Sequence, residues 1–305
     1  MNEELASYID GYIKQKRYRL INSILLYKDS ELVLARYYNR CNEHSRNNIK
    51  SIWKSIMSIC AGICLDKGYI KHLDEPIANY LDEFADNIHP YHKLITIRHL
   101  LTMSSGIYWH SGIHYHCPML EQLWRVENCI GQLADTAMAN VPGTTFVYKE
   151  WDVILLSAII GKATGTSAYL FCKENLYEPL GITSGSWAQF TNGVDYNISK
   201  NPNYEEQSNL SACDLAKIGF LFLDNGKDII SERYIREAVS PSLNAKEYGF
   251  LWWLFDGGYA CRGYGGQELN ILPEKNIVYV IQATPSAQSK CYADVFDNCV
   301  LGPFC

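Results

Sequence analysis

The sequence predicts an α/β fold of the α+β type: one antiparallel sheet assembled from both chain ends, flanked by helices, with an inserted helical subdomain. Three observations predict it. Two β-rich runs near the N-terminus, 21–27 and 31–38, are joined by the turn Lys28-Asp29-Ser30 and read as a hairpin. Four more β-rich runs close the chain, at 250–255, 259–262, 268–272 and 277–283, with turns at Asp256-Gly257-Gly258 and Pro273-Glu274-Lys275-Asn276. Between these ends the pattern is helical, with long loops rich in Gly, Pro and His. The division expected is a sheet domain from 1–68 plus 210–305 and a helical subdomain from 69–209, with a cleft between them.

Each element has its own signal. Residues 3–16 carry Leu5, Tyr8, Ile9, Tyr12 and Ile13 on one helical stripe. A polar stretch, 39–48, leads into a long apolar helix whose end is marked by Gly68 as C-cap. Ser211-Ala212-Cys213-Asp214 opens an amphipathic helix that runs to Phe222. No internal repeat or low-complexity tract interrupts the chain.

Composition narrows the function. With 48% hydrophobic and 20% charged residues the chain has the makings of a core and not of a disordered tail. A net charge of −6 leaves no basic excess for nucleic acid, and the short cluster Lys14–Arg19 reads as the solvated end of the first helix. The acidic start, Met1 to Leu5, lacks the basic and apolar regions of a signal peptide, and no run approaches the ~20 apolar residues of a membrane span. Eleven cysteines, an odd number with no C-x-x-C, read as free thiols in a reducing cytoplasm. No cofactor motif is present, and no feature bears on the oligomeric state.

Chemistry concentrates on the apolar helix. Ser51, Lys54, Ser55, Ser58 and Gly62 fall on one face of it, and Lys54 is the only charge between Ile52 and Leu65. Burial disfavours an ammonium, so a lysine there is expected to be largely neutral and able to act as a base on Ser51, three residues upstream. Ser51 stands at the helix start, where free N–H groups and the dipole favour negative charge. The alternative is a lysine that snorkels to a loop and a serine that merely caps the helix.

The motifs that follow resemble the serine β-lactamase-like superfamily: class C β-lactamases, DD-peptidases, related esterases and 6-aminohexanoate-oligomer hydrolases. Ser51-Ile52-Trp53-Lys54 matches its S-x-x-K; Leu73-Asp74-Glu75-Pro76, its L-D-D-P. Ile97-Arg98-His99-Leu100-Leu101-Thr102-Met103-Ser104-Ser105-Gly106 is close to I-R-H-L-L-x-M-T-S-G. Pro142-Gly143-Thr144-Thr145-Phe146-Val147-Tyr148 is similar to P-G-x-x-F-x-Y, Pro179-Leu180-Gly181-Ile182 to P-L-G-M, and Gly263-Tyr264-Gly265-Gly266-Gln267 to the glycine-rich third box.

The resemblance implies a β-lactamase-like fold and acyl transfer to Ser51, with Lys54 and Tyr148 handling its proton and the backbone N–H groups of Ser51 and Tyr264 as oxyanion hole. The substrate it implies is a small ester, amide or peptide. Two departures stand out. The family's Tyr-x-Asn is Tyr148-Lys149-Glu150 here, so Glu150 pairs with Lys54, receives a cationic substrate or points away. The family's Lys/His-Thr/Ser-Gly is Cys261-Arg262-Gly263, and strand alternation with Tyr264 turns Arg262 toward the cleft, where it is expected to read a carboxylate. Glu150 in place of the family asparagine, with Tyr264 crowding the oxyanion strand, implies poor β-lactam hydrolysis. Trp109 and Tyr115, on the loop after Ser104-Ser105-Gly106, are expected to contact substrate. Two other readings remain at this point: a non-catalytic binding descendant of the fold, and a zinc hydrolase using His110, His114 and His116, with Cys117 beside them.

Overall fold

The computed structural model describes residues 2–85, 87–110, 118–183, 187–197, 208–286 and 291–302. In chain order the elements are α1 (Glu3–Lys16), β1 (Ile21–Lys28), β2 (Glu31–Tyr37), β3 (Arg46–Asn48), α2 (Ile52–Asp66), α3 (Asp82–Ala85), α4 (Ile97–Leu101), α5 (Pro118–Leu123) and α6 (Cys129–Ala134). There follow α7 (Trp151–Thr164), α8 (Ala168–Cys172), β4 (Ala188–Gln189), β5 (Asp195–Tyr196), β6 (Asn209–Ser211), α9 (Ala212–Leu223) and α10 (Glu232–Ala238). The chain closes with β7 (Trp253–Phe255), β8 (Gly258–Gly263), β9 (Gln267–Leu272), β10 (Ile277–Ala283) and α11 (Ala293–Phe296).

Both chain ends share one six-stranded antiparallel sheet in the order β2-β1-β10-β9-β8-β7, as expected. β1 and β10 pair from Ile21 with Ala283 to Lys28 with Ile277, so first and last strands lie side by side in its middle. The strands β9 and β10 are buried along their whole length. Burial on both sides follows from helices on both faces of the sheet. On one face, α9 packs through Gly219, where an added methyl would stand 2.6 Å from Val278. On the other, α1 and α11 cover Ile24, Leu26, Tyr279 and Ile281.

Three details differ from expectation. The polar stretch ends in β3, whose residues pair with β6 (Arg46 with Ser211, Asn48 with Asn209). No alternation betrays a three-residue strand of Arg46-Asn47-Asn48; a partner 161 to 165 residues away makes it, and Asn47 is tied in by Asn22 and Gln282. The strand expected from 250 starts only at Trp253, because Leu251 takes a left-handed conformation (φ 63°). Its N–H bonds the Leu101 carbonyl instead of a strand neighbour. Helix α2 has Lys67 as its cap residue, with Gly68 just beyond at φ 77°, the left-handed step glycine takes at low cost.

The matched sequence motifs interlock in space. Arg98 forms ion pairs with Asp74 (2.7 Å) and with Glu237. The Gly143 backbone passes so close to His99 that a side chain there would collide with the imidazole. One apolar core runs from α2 through α4, α7 and α8 to α9 and β8. Cys41, Cys60, Cys64, Cys129, Cys172, Cys213, Cys261 and Cys291 are free thiols. Among the described residues no single helix is long and apolar enough to cross a membrane; the bent pair 151–164 and 168–177 has the composition and lies mostly in this core.

Candidate active site

Helix α2 positions the first two residues. It is buried from Ile52 to Cys64, so Lys54 is carried into the interior by its apolar neighbours. Ser51 occupies the N-cap position yet makes no capping hydrogen bond. Its Oγ instead accepts from Lys54 Nζ at 3.1 Å. A serine that only capped the helix would spend its oxygen on the backbone. The preceding Lys50 is left-handed (φ 51°), held by its N–H on Asn48 Oδ1 (3.0 Å) and its carbonyl on Asn197 Nδ2 (2.9 Å). A non-glycine residue in that region stores about 1–3 kcal/mol of strain, and here the strain sets the angle at which Ser51 leaves the helix end.

The second segment comes from the residues before α7. Lys54 Nζ bonds both oxygens of Glu150, at 2.9 and 2.7 Å, and the pair is nearly buried. Of the three orientations open to Glu150 this is the first, which corrects the expectation that it contacts substrate. It also corrects the expectation of a neutral lysine. Burial pulls the Lys54 pKa down, but the Glu150 carboxylate and then Tyr148 outweigh it, and the net displacement is upward. The resting lysine is an ammonium.

Tyr148 is half-buried, with Lys54 Nζ 5.2 Å from its ring centre and its hydroxyl interacting with Ser51 and Lys54. Burial raises the phenol's pKa, Lys54 lowers it, Glu150 raises it, and the net is upward, so the phenol is protonated at rest. The ring is fixed by Trp253 (centroids 5.5 Å apart) and Tyr248 (6.2 Å).

Strand β8 supplies the third side. Ser55 Oγ donates to the Leu251 carbonyl at 2.6 Å and also interacts with Cys261, which ties α2 to the strand. The Gly263 backbone lies against the Ile49 carbonyl and Lys50, leaving no room for a side chain and bringing the end of β8 beside Ser51. Alternation then fixes Arg262. Cys261 pairs with Leu269 and faces α2 and α9; Arg262 pairs with Glu268 and projects from the opposite face, exposed. Tyr264 turns its hydroxyl to the Ser286 carbonyl (3.0 Å). The expectation that the Arg262 side chain faces Ser51 is therefore corrected: the alternation holds, and the face is the other one. Arg262 lines a groove of about 720 Å³ with Trp253, Lys246, Glu247 and Asp256.

Trp109 packs edge-on against Trp151 (4.7 Å), the residue after Glu150. Tyr115, His114, His116 and Cys117 lie outside the described residues. Among the described residues no group of three or more His, Cys, Asp or Glu side chains is arranged to hold a metal.

A second buried constellation escaped the sequence reading. Lys149 Nζ donates to Ser105 Oγ (3.0 Å) and the Ile107 carbonyl (3.2 Å), and Ser105 Oγ donates to Asp152 (2.5 Å). Asp152 is the lone acid in the apolar run 151–160, and the lone-charge argument applied to Lys54 would have found it.

Comparison with known proteins follows this geometry. The model of the Beta-lactamase family matches residues 9–297. An uncharacterized protein of Alkalihalophilus pseudofirmus is 22% identical, covering 92% of this chain and 90% of its own. The octameric penicillin-binding protein homologue of Pyrococcus abyssi superposes with a TM-score of 0.75 at 20% identity, over 99% of this chain and 77% of that one. The penicillin binding protein of Bacillus halodurans gives 0.75 at 19% identity, over 95% and 98%. At these identities the likeness is one of fold.

Proposed function

The chain belongs to the Beta-lactamase family, and from that premise we propose that it is a serine hydrolase that cleaves small esters, amides or peptides through an acyl-enzyme on Ser51. The observation that carries the reading is the Ser51–Lys54 contact at the head of a buried helix, with the serine oxygen left uncommitted to capping. Ser51 Oγ attacks the carbonyl carbon, and its proton leaves toward Lys54. Tyr148, neutral at rest, gives its phenolic proton to the departing oxygen or nitrogen. The N–H groups of Ser51 and Tyr264 receive the oxyanion, a role supported by the approach of Gly263 to residues 49 and 50. Water then releases the acyl group by the same path in reverse. Trp109 lines the substrate side of the cleft between the sheet domain (1–68 and 210–305) and the helical subdomain (69–209). The setting is the cytoplasm, in keeping with the free thiols.

The test is labelling with a fluorophosphonate, followed by mass spectrometry of the labelled peptide. The expected adduct is on Ser51, absent in Ser51→Ala. A panel of p-nitrophenyl esters, anilides and a chromogenic cephalosporin then ranks leaving groups, with the cephalosporin turned over far more slowly than the ester. Absence of any adduct and of any turnover would favour a non-catalytic binding protein.

A further inference from the structure

The resting arrangement poses a problem for proton transfer. Lys54 Nζ directs hydrogen bonds to Ser51 Oγ, Glu150 Oε1 and Glu150 Oε2. An ammonium has three protons and no lone pair, so it cannot take the serine proton until it gives one up. Glu150 is the carboxylate in contact with it among the described residues, and it holds both oxygens on the amine. We infer that Glu150 is the second station of the proton path: as the Ser51 proton moves to Lys54, a Lys54 proton moves to Glu150. This rests on Ser51 being the nucleophile.

The step balances. The Ser51 O–H bond breaks and an N–H bond forms on Lys54, while another Lys54 N–H bond breaks and an O–H bond forms on Glu150. The serine oxygen pair makes the bond to the carbonyl carbon, and the carbonyl π pair moves to its oxygen. When the tetrahedral adduct collapses, Tyr148 gives its proton to the leaving group, Lys54 reprotonates the phenolate, and Glu150 returns its proton to Lys54. The net result is the Ser51 proton on the leaving group and the resting pair restored. Glu150 does not touch the substrate; it acts through Lys54.

The surroundings suit this role. Around Glu150 stand Lys54 from α2, Tyr148 on its own segment and Tyr248 from the loop before β7, whose phenol feels the Glu150 charge. The flanking charges Lys149 and Asp152 are engaged with each other through Ser105 and offer no competing proton path. In a nearly dry site the transfer neutralises Glu150 as the carbonyl oxygen takes up negative charge, while Lys54 stays an ammonium, so the site holds one cation and one anion throughout.

The experiment is the pH profile of kcat/KM for a p-nitrophenyl ester in wild type, Glu150→Gln and Glu150→Asp. The feature read is the acid limb of each profile. In Glu150→Gln the amine must lose its proton to solvent first, so the limb moves up by at least about one pH unit. The deficit, about tenfold or more at pH 6, narrows as pH rises. Glu150→Asp keeps the wild-type limb at reduced kcat. A bowed proton inventory in mixed H₂O and D₂O, two protons in flight, is expected for wild type and needs no variant to fold. An unmoved limb, or a deficit equal at all pH values, or a linear inventory overturns the relay. Fluorophosphonate labelling of wild-type Ser51 is read in parallel: if it fails, the serine reading falls, and if it succeeds with an unmoved limb, only the relay does.

Discussion

Two buried constellations in this protein have the same composition, Ser-Lys-carboxylate, and they differ in what their atoms are free to do. In Ser105–Lys149–Asp152 the serine donates to the acid at 2.5 Å and accepts from the lysine at 3.0 Å, with both charged side chains fully enclosed. In Ser51–Lys54–Glu150 the lysine bonds the serine and both acid oxygens, while Ser51 is partly exposed at a strained helix end. The Asp152 pKa is raised by burial despite Lys149 and Ser105 pulling it down, as in a site that holds loops together. Composition therefore does not define a nucleophile; an accessible hydroxyl whose proton is not tied to a buried acid does. Sharing neighbouring backbone, the inner triad anchors the 105–107 loop to the segment from which Tyr148 and Glu150 project.

The largest expected effect breaks the comparison outright. Ser51→Ala should lower ester turnover by at least about 10³-fold, the scale on which removal of a nucleophile acts, with the fold intact by circular dichroism. Ser105→Ala should leave fluorophosphonate labelling on Ser51 and destabilise the protein by about 1–3 kcal/mol, since Lys149 and Asp152 each lose a buried partner. Labelling that moved to Ser105, or survived in Ser51→Ala, would reverse the assignment of the two triads.

The next effect separates charge pairing from chemistry. Lys54→Met leaves Glu150 buried without its cation and should cost about 3–5 kcal/mol as well as activity. Adding Glu150→Gln removes the orphan charge, so the double variant should regain most of the stability in urea titrations and none of the turnover. A double variant with wild-type kcat would show that the pair is only structural. The pH dependence has a definite sign. The Lys54 pKa lies above its ordinary 10.5, so its contribution is complete below that pH and is lost as pH rises through the higher folded-state value. The Tm advantage of wild type over the double variant should hold through neutrality and shrink on the alkaline side, from about pH 10.5 upward.

The sheet, the buried helix and the serine–lysine pair were legible because each rests on local periodicity or spacing: β-rich runs at both ends, a helix apolar nearly all round, one charge inside it. What escaped was set by distant partners. β3 exists because Asn209–Ser211 pairs with it, and Leu251 breaks its strand because Leu101 takes its N–H. The charge state of Lys54 escaped for the same reason: the helix shows no other charge, but the fold brings in a carboxylate 96 residues away. For Arg262 the period-two alternation was legible, but which of the two faces meets α2 depends on how β8 pairs and packs, not on β8 alone.

Arg262 provides the smallest effect, and it extends the comparison to a cation–carboxylate pair on the outer face of the sheet. Its strand neighbour Glu268 is nearly buried, and burial raises that acid's pKa; Arg262 and then Asn270 pull it down, Asp297 adds to the rise, and the net is upward. A carboxyl with a raised folded-state pKa contributes stability that is full below its ordinary 4.5 and is lost as pH rises through the higher value. At neutral pH the ionised acid thus weighs against the fold, and Arg262 relieves part of that load. Arg262→Ala should lower stability at pH 7 by under about 1 kcal/mol, since the guanidinium is exposed and screened, and by less at pH 4, where Glu268 carries its proton. Glu268→Gln should do the opposite at pH 7 and raise the Tm. Because the side chain projects away from Ser51, KM for carboxylate-bearing and neutral esters should change by the same factor in Arg262→Ala, less than about threefold. A selective rise in KM for the carboxylate-bearing esters would show that the groove beside Trp253 takes part in binding, and that an arginine behind the sheet reaches the substrate after all.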